Sequence, residues 1–163
     1  MSRLDSYIRR MQAQKLCLDQ AARMIGRRPG PVLELGFGNG RTYDHLREHF
    51  PGRAIYVFDR QLNPHPDCIP PADLVRLGDF RETLPRFLDE APEPAVLIHA
   101  DIGTGDKIAS LRLARDLTPT LVHLLAPGGL LTGDQPMNDA ELEALPLPEG
   151  VQPDRYHLYR RKA

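Results

Sequence analysis

Cysteine is scarce in this chain: only Cys17 and Cys68 occur, without C-x-x-C spacing. That excludes a disulfide framework and argues against a structural zinc site of the cysteine type. No run of about 18 apolar residues is present, so no membrane-spanning helix is expected. The opening stretch MSRLDSYIRRMQ carries charges where a signal peptide needs an apolar core, which makes a reducing cytoplasm the expected location. Internal repeats and low-complexity tracts are also lacking. A strong charge of one sign is missing too, the formal net charge being -1, and this gives no reason to expect a nucleic-acid partner.

The charge is unevenly placed all the same. Residues 1–30 hold seven Arg/Lys against two Asp, and residues 155–163 hold four basic groups and no acidic one. Basic ends flank an acidic middle, a pattern that solvated helix faces produce as readily as an anion-binding patch. At 163 residues the chain suits one domain with one sizeable core.

Ser2 and Asp5 form an S-x-x-D capping pattern, and Leu4, Ile8, Met11, Leu18, Ala22 and Ile25 recur at helical intervals broken only by Lys15. Gly26 and the Pro29-Gly30-Pro31 run stop the helix, predicted over 3–25. PVLELG then reads as a buried strand entering a glycine turn, followed by a helix over 42–50. Further buried strands are predicted at 54–59, 73–79, 95–101 and 129–134, with helices over 81–90 and 106–125 interrupted or kinked at Pro85 and Pro119. Strands alternating with helices imply a doubly wound α/β fold, a mostly parallel sheet with helices on both faces. The proline-rich segment 63–71 is expected to be an ordered loop. RYHLYRR at the C-terminal end alternates apolar and polar residues, as an antiparallel edge strand does.

The chemistry gathers at strand ends. Glu34-Leu35-Gly36-Phe37-Gly38-Asn39-Gly40 closes the first strand, and alternate glycines let the backbone turn sharply and approach a ligand closely. A dinucleotide fingerprint would require glycine at position 41, which is Arg41. Asp59 ends the second strand nineteen residues after Gly40, where a carboxylate can accept both ribose hydroxyls. Gly78-Asp79-Phe80 ends the third, offering a carboxylate for an exocyclic amine and a ring to pack on a base. Asp101 ends the fourth and Asp134 the fifth. A single acid at such a place is as readily a helix cap; three in order are harder to explain that way. His99, inside an apolar strand, reads as a hydrogen-bonded core histidine.

In this order the motifs resemble those of the class I S-adenosylmethionine-dependent methyltransferases. ELGFGNG is similar to that family's glycine-rich first motif, YVFD to its second, LGDF to its third and HAD to its fourth, over Val32 to about Asp134. The resemblance implies S-adenosyl-L-methionine as cofactor, with Glu34, Gly36, Phe37, Gly38, Asn39, Gly40, Arg41 and Thr42 around the methionine part. It implies Asp59 and Arg60 at the ribose, Gly78, Asp79 and Phe80 at the adenine, and Asp101 near the methyl donor. Asp101 and Asp134 are the expected catalytic acids, with Asp101 the preferred base. The same two acids, with Gln135 after Asp134, resemble the magnesium-binding pattern of catechol O-methyltransferases, but with only two acids present no metal is assigned.

No N-P-P-Y or D-P-P-Y string occurs, which in this family would point to amino groups of bases or of glutamine, so a small-molecule acceptor is expected. So few residues follow Leu131 that the sheet is expected to be one strand short. The first helix, residues 1–28 with its stop, is then the candidate lid, and Tyr7, Arg10 and Tyr156 are candidates to face the acceptor. Three alternatives stay open: a non-catalytic module binding the cofactor or its demethylated product, a nucleotide-dependent oxidoreductase or epimerase on a similar fold, and an aminopropyl transferase. A homo-oligomer is also left open.

Overall fold

The computed structural model describes all residues, Met1–Ala163. The chain begins with α1 (Arg3–Ile25), capped by reciprocal hydrogen bonds between Ser2 and Asp5. It continues as β1 (Val32–Leu35), α2 (Arg41–His49), β2 (Ile55–Asp59), β3 (Val75–Leu77), α3 (Phe80–Glu90), β4 (Ala95–Ala100), α4 (Lys107–Leu124), β5 (Leu125–Gly133), β6 (Leu142–Ala144) and β7 (His157–Arg161). One seven-stranded sheet results, in the order β3-β2-β1-β4-β5-β7-β6. Strands β1 to β5 are parallel, and β7 runs antiparallel to both β5 and β6. The doubly wound α/β fold is therefore as expected, with the order reversing between β1 and β4.

Period-2 alternation sorts the strand side chains onto two faces. Leu33, Leu35, Phe58, Ile98 and Leu131 pack with Leu84, Phe87, Leu117 and Leu121 of α3 and α4. Val32, Val57, Leu97, Leu130 and Leu158 pack with Leu18, Ala21 and Ile25 of α1 and Leu46 of α2. These clusters supply the main burial that holds the layers together, at about 25 cal/mol for each Å² of apolar surface removed from water.

Several expectations are corrected. The sheet is not one strand short: β6, only three residues long, pairs along the outer side of β7 through Leu142–Arg161 to Ala144–Tyr159. Neither proline interrupts its helix, since α3 runs continuously through Pro85 and α4 through Pro119. The third strand shrinks to Val75–Leu77 because it pairs with β2 alone, and Ala72–Leu74 before it forms a 3-10 turn. The fifth strand starts earlier, at Leu125, with a register shift against β4 that absorbs Pro127-Gly128-Gly129. The α1 stripe is also displaced. Its buried residues are Ala13, Gln14, Cys17, Leu18, Ala21 and Ile25, whereas Leu4 and Ile8 are 66% and 44% exposed. Only the C-terminal half of α1 packs on the sheet; the N-terminal half overhangs the strand ends. No helix is long and apolar enough to cross a membrane.

Candidate active site

At the end of β1 the backbone turns through Gly36, Gly38 and Gly40, all with positive φ. Gly36 is fixed by close packing, since a Cβ there would land on the Asp101 carbonyl, whereas one at Gly38 would meet nothing within 4 Å. The turn is thus pressed against β4 on one side and open on the other, a cradle shaped for a ligand. Gly40, in the left-handed region, caps α2 and lies against Phe37 and Cys68. The loop over 63–71 buttresses the turn: it carries a 3-10 turn at Pro66–Cys68, and the His65 N–H donates to the Asn39 carbonyl at 3.0 Å.

Asp59 stands beside this cradle. Its Oδ2 accepts from the Phe37 N–H at 2.8 Å and its Oδ1 from the Arg60 N–H at 2.7 Å. The Gly38 N–H makes a longer contact to Oδ2 at 3.4 Å, and an ionised carboxylate has about four lone-pair positions, so capacity for a further donor remains. Asp79 caps α3 by accepting from the Arg81 N–H at 2.9 Å, and it also meets Arg60 at 3.2 Å. The Arg81 N–H and the Arg60 and Arg81 charges hold its carboxyl below the usual range, against a smaller opposing effect of burial.

Two clefts open here. One of about 400 Å³ is lined by Gly36, Phe37, Gly38, Asn39, Arg41, Thr42, Asp59, Phe80, Asp101, Ile102 and Gly103, roofed by Tyr7, Arg10, Met11 and Gln14 of α1. The other, about 410 Å³, shares Asp59, Phe80 and Ile102 with it and adds Arg60 and Asp79. Both fall in the size range of small-ligand sites, and they lie where the strand order reverses. Of the residues singled out from sequence, Gly40 and Gly78 support the turns from outside the clefts, and Glu34 lies beneath them, fully buried.

Glu34 belongs to a buried polar row. Its Oε1 meets His99 Nδ1 at 2.7 Å and accepts from the Thr42 hydroxyl at 3.2 Å, while His99 Nε2 meets the Tyr156 hydroxyl at 2.5 Å. His99 is a core histidine with both nitrogens partnered. Tyr156 is fully buried and faces no cleft, which corrects its candidacy as an acceptor contact. Burial raises the Glu34 carboxyl; burial would discharge His99, but the Glu34 carboxylate beside it outweighs this and raises it.

Both expected catalytic acids face α1 or the β4 loop. Asp101 takes Arg10 Nη2 on Oδ1 and Gln14 Nε2 on Oδ2, each at 2.8 Å. Asp134 accepts the Ile102 and Gly103 N–H groups, both at 3.0 Å, and Gln135 Nε2 at 3.2 Å. Every oxygen of the two acids already serves a protein donor, an arrangement suited to ordering the α1 and β4 segments. Burial, and then the Asp101 charge, raise the Asp134 pKa. A third cleft, of about 310 Å³, adjoins the first at Arg10 and Gly103 and is lined by Gly105, Asp106, Lys107, Ser110, Asp134, Gln135, Asp154 and Arg155.

Gln14, and the place of Met11 over the cleft, escaped the sequence reading. Their signal was there: Tyr7, Arg10, Met11 and Gln14 fall at i, i+3, i+4 and i+7, one helix face, and a buried Gln14 needs a partner for its amide.

A glycine cradle at the β1 end, an acid at the β2 end and an acid with a ring after β3 define a nucleoside-binding Rossmann-like methyltransferase fold. The chain matches the S-adenosyl-L-methionine methyltransferase family model over residues 1–161, and it belongs to that family. The crystal structure of an S-adenosyl-L-methionine methyl transferase from Silicibacter pomeroyi DSS-3 is 46% identical to it, with a TM-score of 0.93 and 99% of each chain covered. Two more distant structures share the fold. One is a TDP-rhamnose 3'-O-methyltransferase of calicheamicin biosynthesis (TM-score 0.62, 19% identity, 91% of this chain and 79% of that one). The other is human methyltransferase-like protein 13 in complex with SAH (TM-score 0.57, 14% identity, 91% and 78%). No curated protein sequence gives a significant match. The protein is an S-adenosylmethionine-dependent methyltransferase. The open side of Gly38 and the spare lone pairs of Asp59 fit that cofactor.

Proposed function

We propose that the protein methylates a small polar acceptor seated in the cleft beside Asp134, with the N-terminal half of α1 acting as a lid over the cofactor. The observation that carries this reading is the third cleft. It has no hydrophobic lining residue, it is lined by Arg10, Lys107 and Arg155 as well as by Asp106, Asp134 and Asp154, and it meets the cofactor cleft at Gly103. Its 310 Å³ suits a small molecule and leaves no groove for a duplex. An anionic group of the acceptor would be drawn to Lys107 and Arg155, with its hydroxyl or amine toward Asp134.

Bound S-adenosylmethionine supplies an electrophilic methyl group for in-line displacement. The residues then have two tasks, positioning and proton removal. In this reading the two acids exchange the roles their sequence positions implied. Asp101, paired with Arg10, is a positioning residue that draws α1 down through Arg10 and Gln14. Asp134, its pKa raised chiefly by burial, is the better proton acceptor, and the Ile102 and Gly103 N–H groups fix its orientation.

The experiment is a turnover screen of small hydroxyl and amine acceptors, with transfer RNA as the macromolecular control, followed by the pH profile of kcat for the acceptor found. Turnover should rise with pH as Asp134 ionises, above the usual carboxylate range. Asp134→Asn should lower kcat about 100-fold or more and flatten that rise. Turnover of the RNA alone, or an unchanged profile in Asp134→Asn, contradicts the reading.

A further inference from the structure

Away from the clefts, three potential ligand atoms converge on the outer seam between α1 and α2. His45 and His49, four residues apart, project from one face of α2, and Asp19 faces them from α1. Asp19 Oδ1 lies 2.7 Å from His45 Nε2 and 2.8 Å from His49 Nε2, and the two Nε2 atoms are 3.2 Å apart. We propose that Asp19, His45 and His49 form a binding site for a divalent transition-metal cation of the Zn²⁺ type, which cross-links α1 to α2.

Hydrogen bonding alone leaves this cluster frustrated. If both Nε2 atoms carry protons, both donate to Asp19 Oδ1 and the two N–H groups crowd each other at 3.2 Å. If only one carries a proton, one of the three contacts lacks a hydrogen. A cation removes the conflict by taking a lone pair from each atom. Tetrahedral zinc with nitrogen and oxygen ligands at about 2.0–2.1 Å sets neighbouring ligand atoms about 3.3 Å apart. The imidazole pair already has nearly that spacing, and the carboxylate need only withdraw by roughly half an ångström.

The surroundings suit a site loaded from solvent. The side chains of His45 and His49 are 24% and 33% exposed, leaving a path for the ion, while Asp19 at 16% is held in place. Lys15 Nζ pairs with the other Asp19 oxygen at 2.8 Å, orienting the carboxylate while leaving Oδ1 toward the imidazoles. Imidazole ligands favour zinc, copper or nickel over magnesium or calcium, which prefer all-oxygen sets. Three protein ligands leave a fourth position that would take water.

The test uses the full-length protein and cations alone. One equivalent of Co²⁺ should produce the visible d–d bands of a four- or five-coordinate nitrogen/oxygen site. Zn²⁺ should displace it and raise the thermal midpoint, and Mg²⁺ should do neither. His49→Gln and Asp19→Asn should each weaken Co²⁺ binding about tenfold or more. A second measurement on the unaltered chain removes any dependence on how the variants fold: in imidazole NMR spectra, Zn²⁺ should shift His45 and His49 among the six histidines. Absent Co²⁺ bands, unchanged affinity in folded His49→Gln, or shifts confined to His65, His123 or His157 would overturn the proposal.

Discussion

Replacing Asp59 with alanine isolates the contribution of one carboxylate to cofactor binding. In the protein its two oxygens accept the Phe37 N–H at 2.8 Å and the Arg60 N–H at 2.7 Å, with a longer contact to Gly38 at 3.4 Å. The group therefore shapes the glycine turn as well as offering lone pairs to the ribose. Hydrogen bonds to a charged group contribute about 1.5–3 kcal/mol, so losing those to the ribose should weaken binding roughly 10- to 150-fold. The loss of turn order adds to this and should appear as faster amide exchange at Phe37 and Gly38. The assay is calorimetric titration with S-adenosylhomocysteine, set beside Asp59→Asn. Asparagine keeps an acceptor oxygen but not the charge and should fall between the two. Affinity within twofold of the unaltered protein in Asp59→Ala would refute the ribose assignment.

Further outcomes follow from the same geometry. Gly36→Ala should destabilise the fold by about 2 kcal/mol or more in denaturant unfolding, because the residue sits at φ +84° and its Cβ meets the Asp101 carbonyl. Equal stability would mean the turn is not packed against β4. Arg10→Ala should cost less than about 1 kcal/mol of stability, its pair with Asp101 being partly exposed, yet should raise KM for the cofactor; unchanged kinetics would remove the lid role of α1. Tyr156→Phe should cost about 1–3 kcal/mol by leaving a buried His99 nitrogen unpaired, and a neutral effect would show that water replaces the hydroxyl. Glu34 and His99 both hold protons to higher pH than in the unfolded chain, where their values are about 4.3 and 6.5. Their contribution to stability is therefore fully present below those unfolded values and lost as pH rises through the folded ones. Glu34→Gln should flatten that decline of the thermal midpoint with rising pH, and an identical decline would place its origin elsewhere.

The parallel strands and the glycine turn were legible because the central strands β1 and β4 are short apolar runs buried on both faces and the first strands end in residues of distinctive chemistry. The Ser2 and Asp5 capping box could be read directly, since it is made entirely of local contacts. What escaped was set by distant partners. Strand β6 has three residues, too few for a period to show, and exists because β7 offers an unpaired edge. Pro85 and Pro119 stay helical because packing of α3 and α4 on the sheet outweighs the single backbone hydrogen bond each removes. Tyr156 was a candidate to face the acceptor, yet His99 on β4 gives its hydroxyl a buried partner. The α1 stripe misled for a related reason: half of the helix overhangs the strand ends, so Leu4 and Ile8 follow the helical period without being buried. His45 and His49 show a ligand-like spacing on one helix, but only the fold brings Asp19 opposite them.

The most direct test of the whole account is a crystal structure of the protein with S-adenosylhomocysteine. It should place the ribose hydroxyls on Asp59, the adenine between Asp79 and Phe80, and the homocysteine end under Arg10 and Gln14, with the sulfur directed past Gly103 toward the cleft of Asp134. A ligand bound elsewhere, or one whose sulfur is walled off from that cleft, would contradict it.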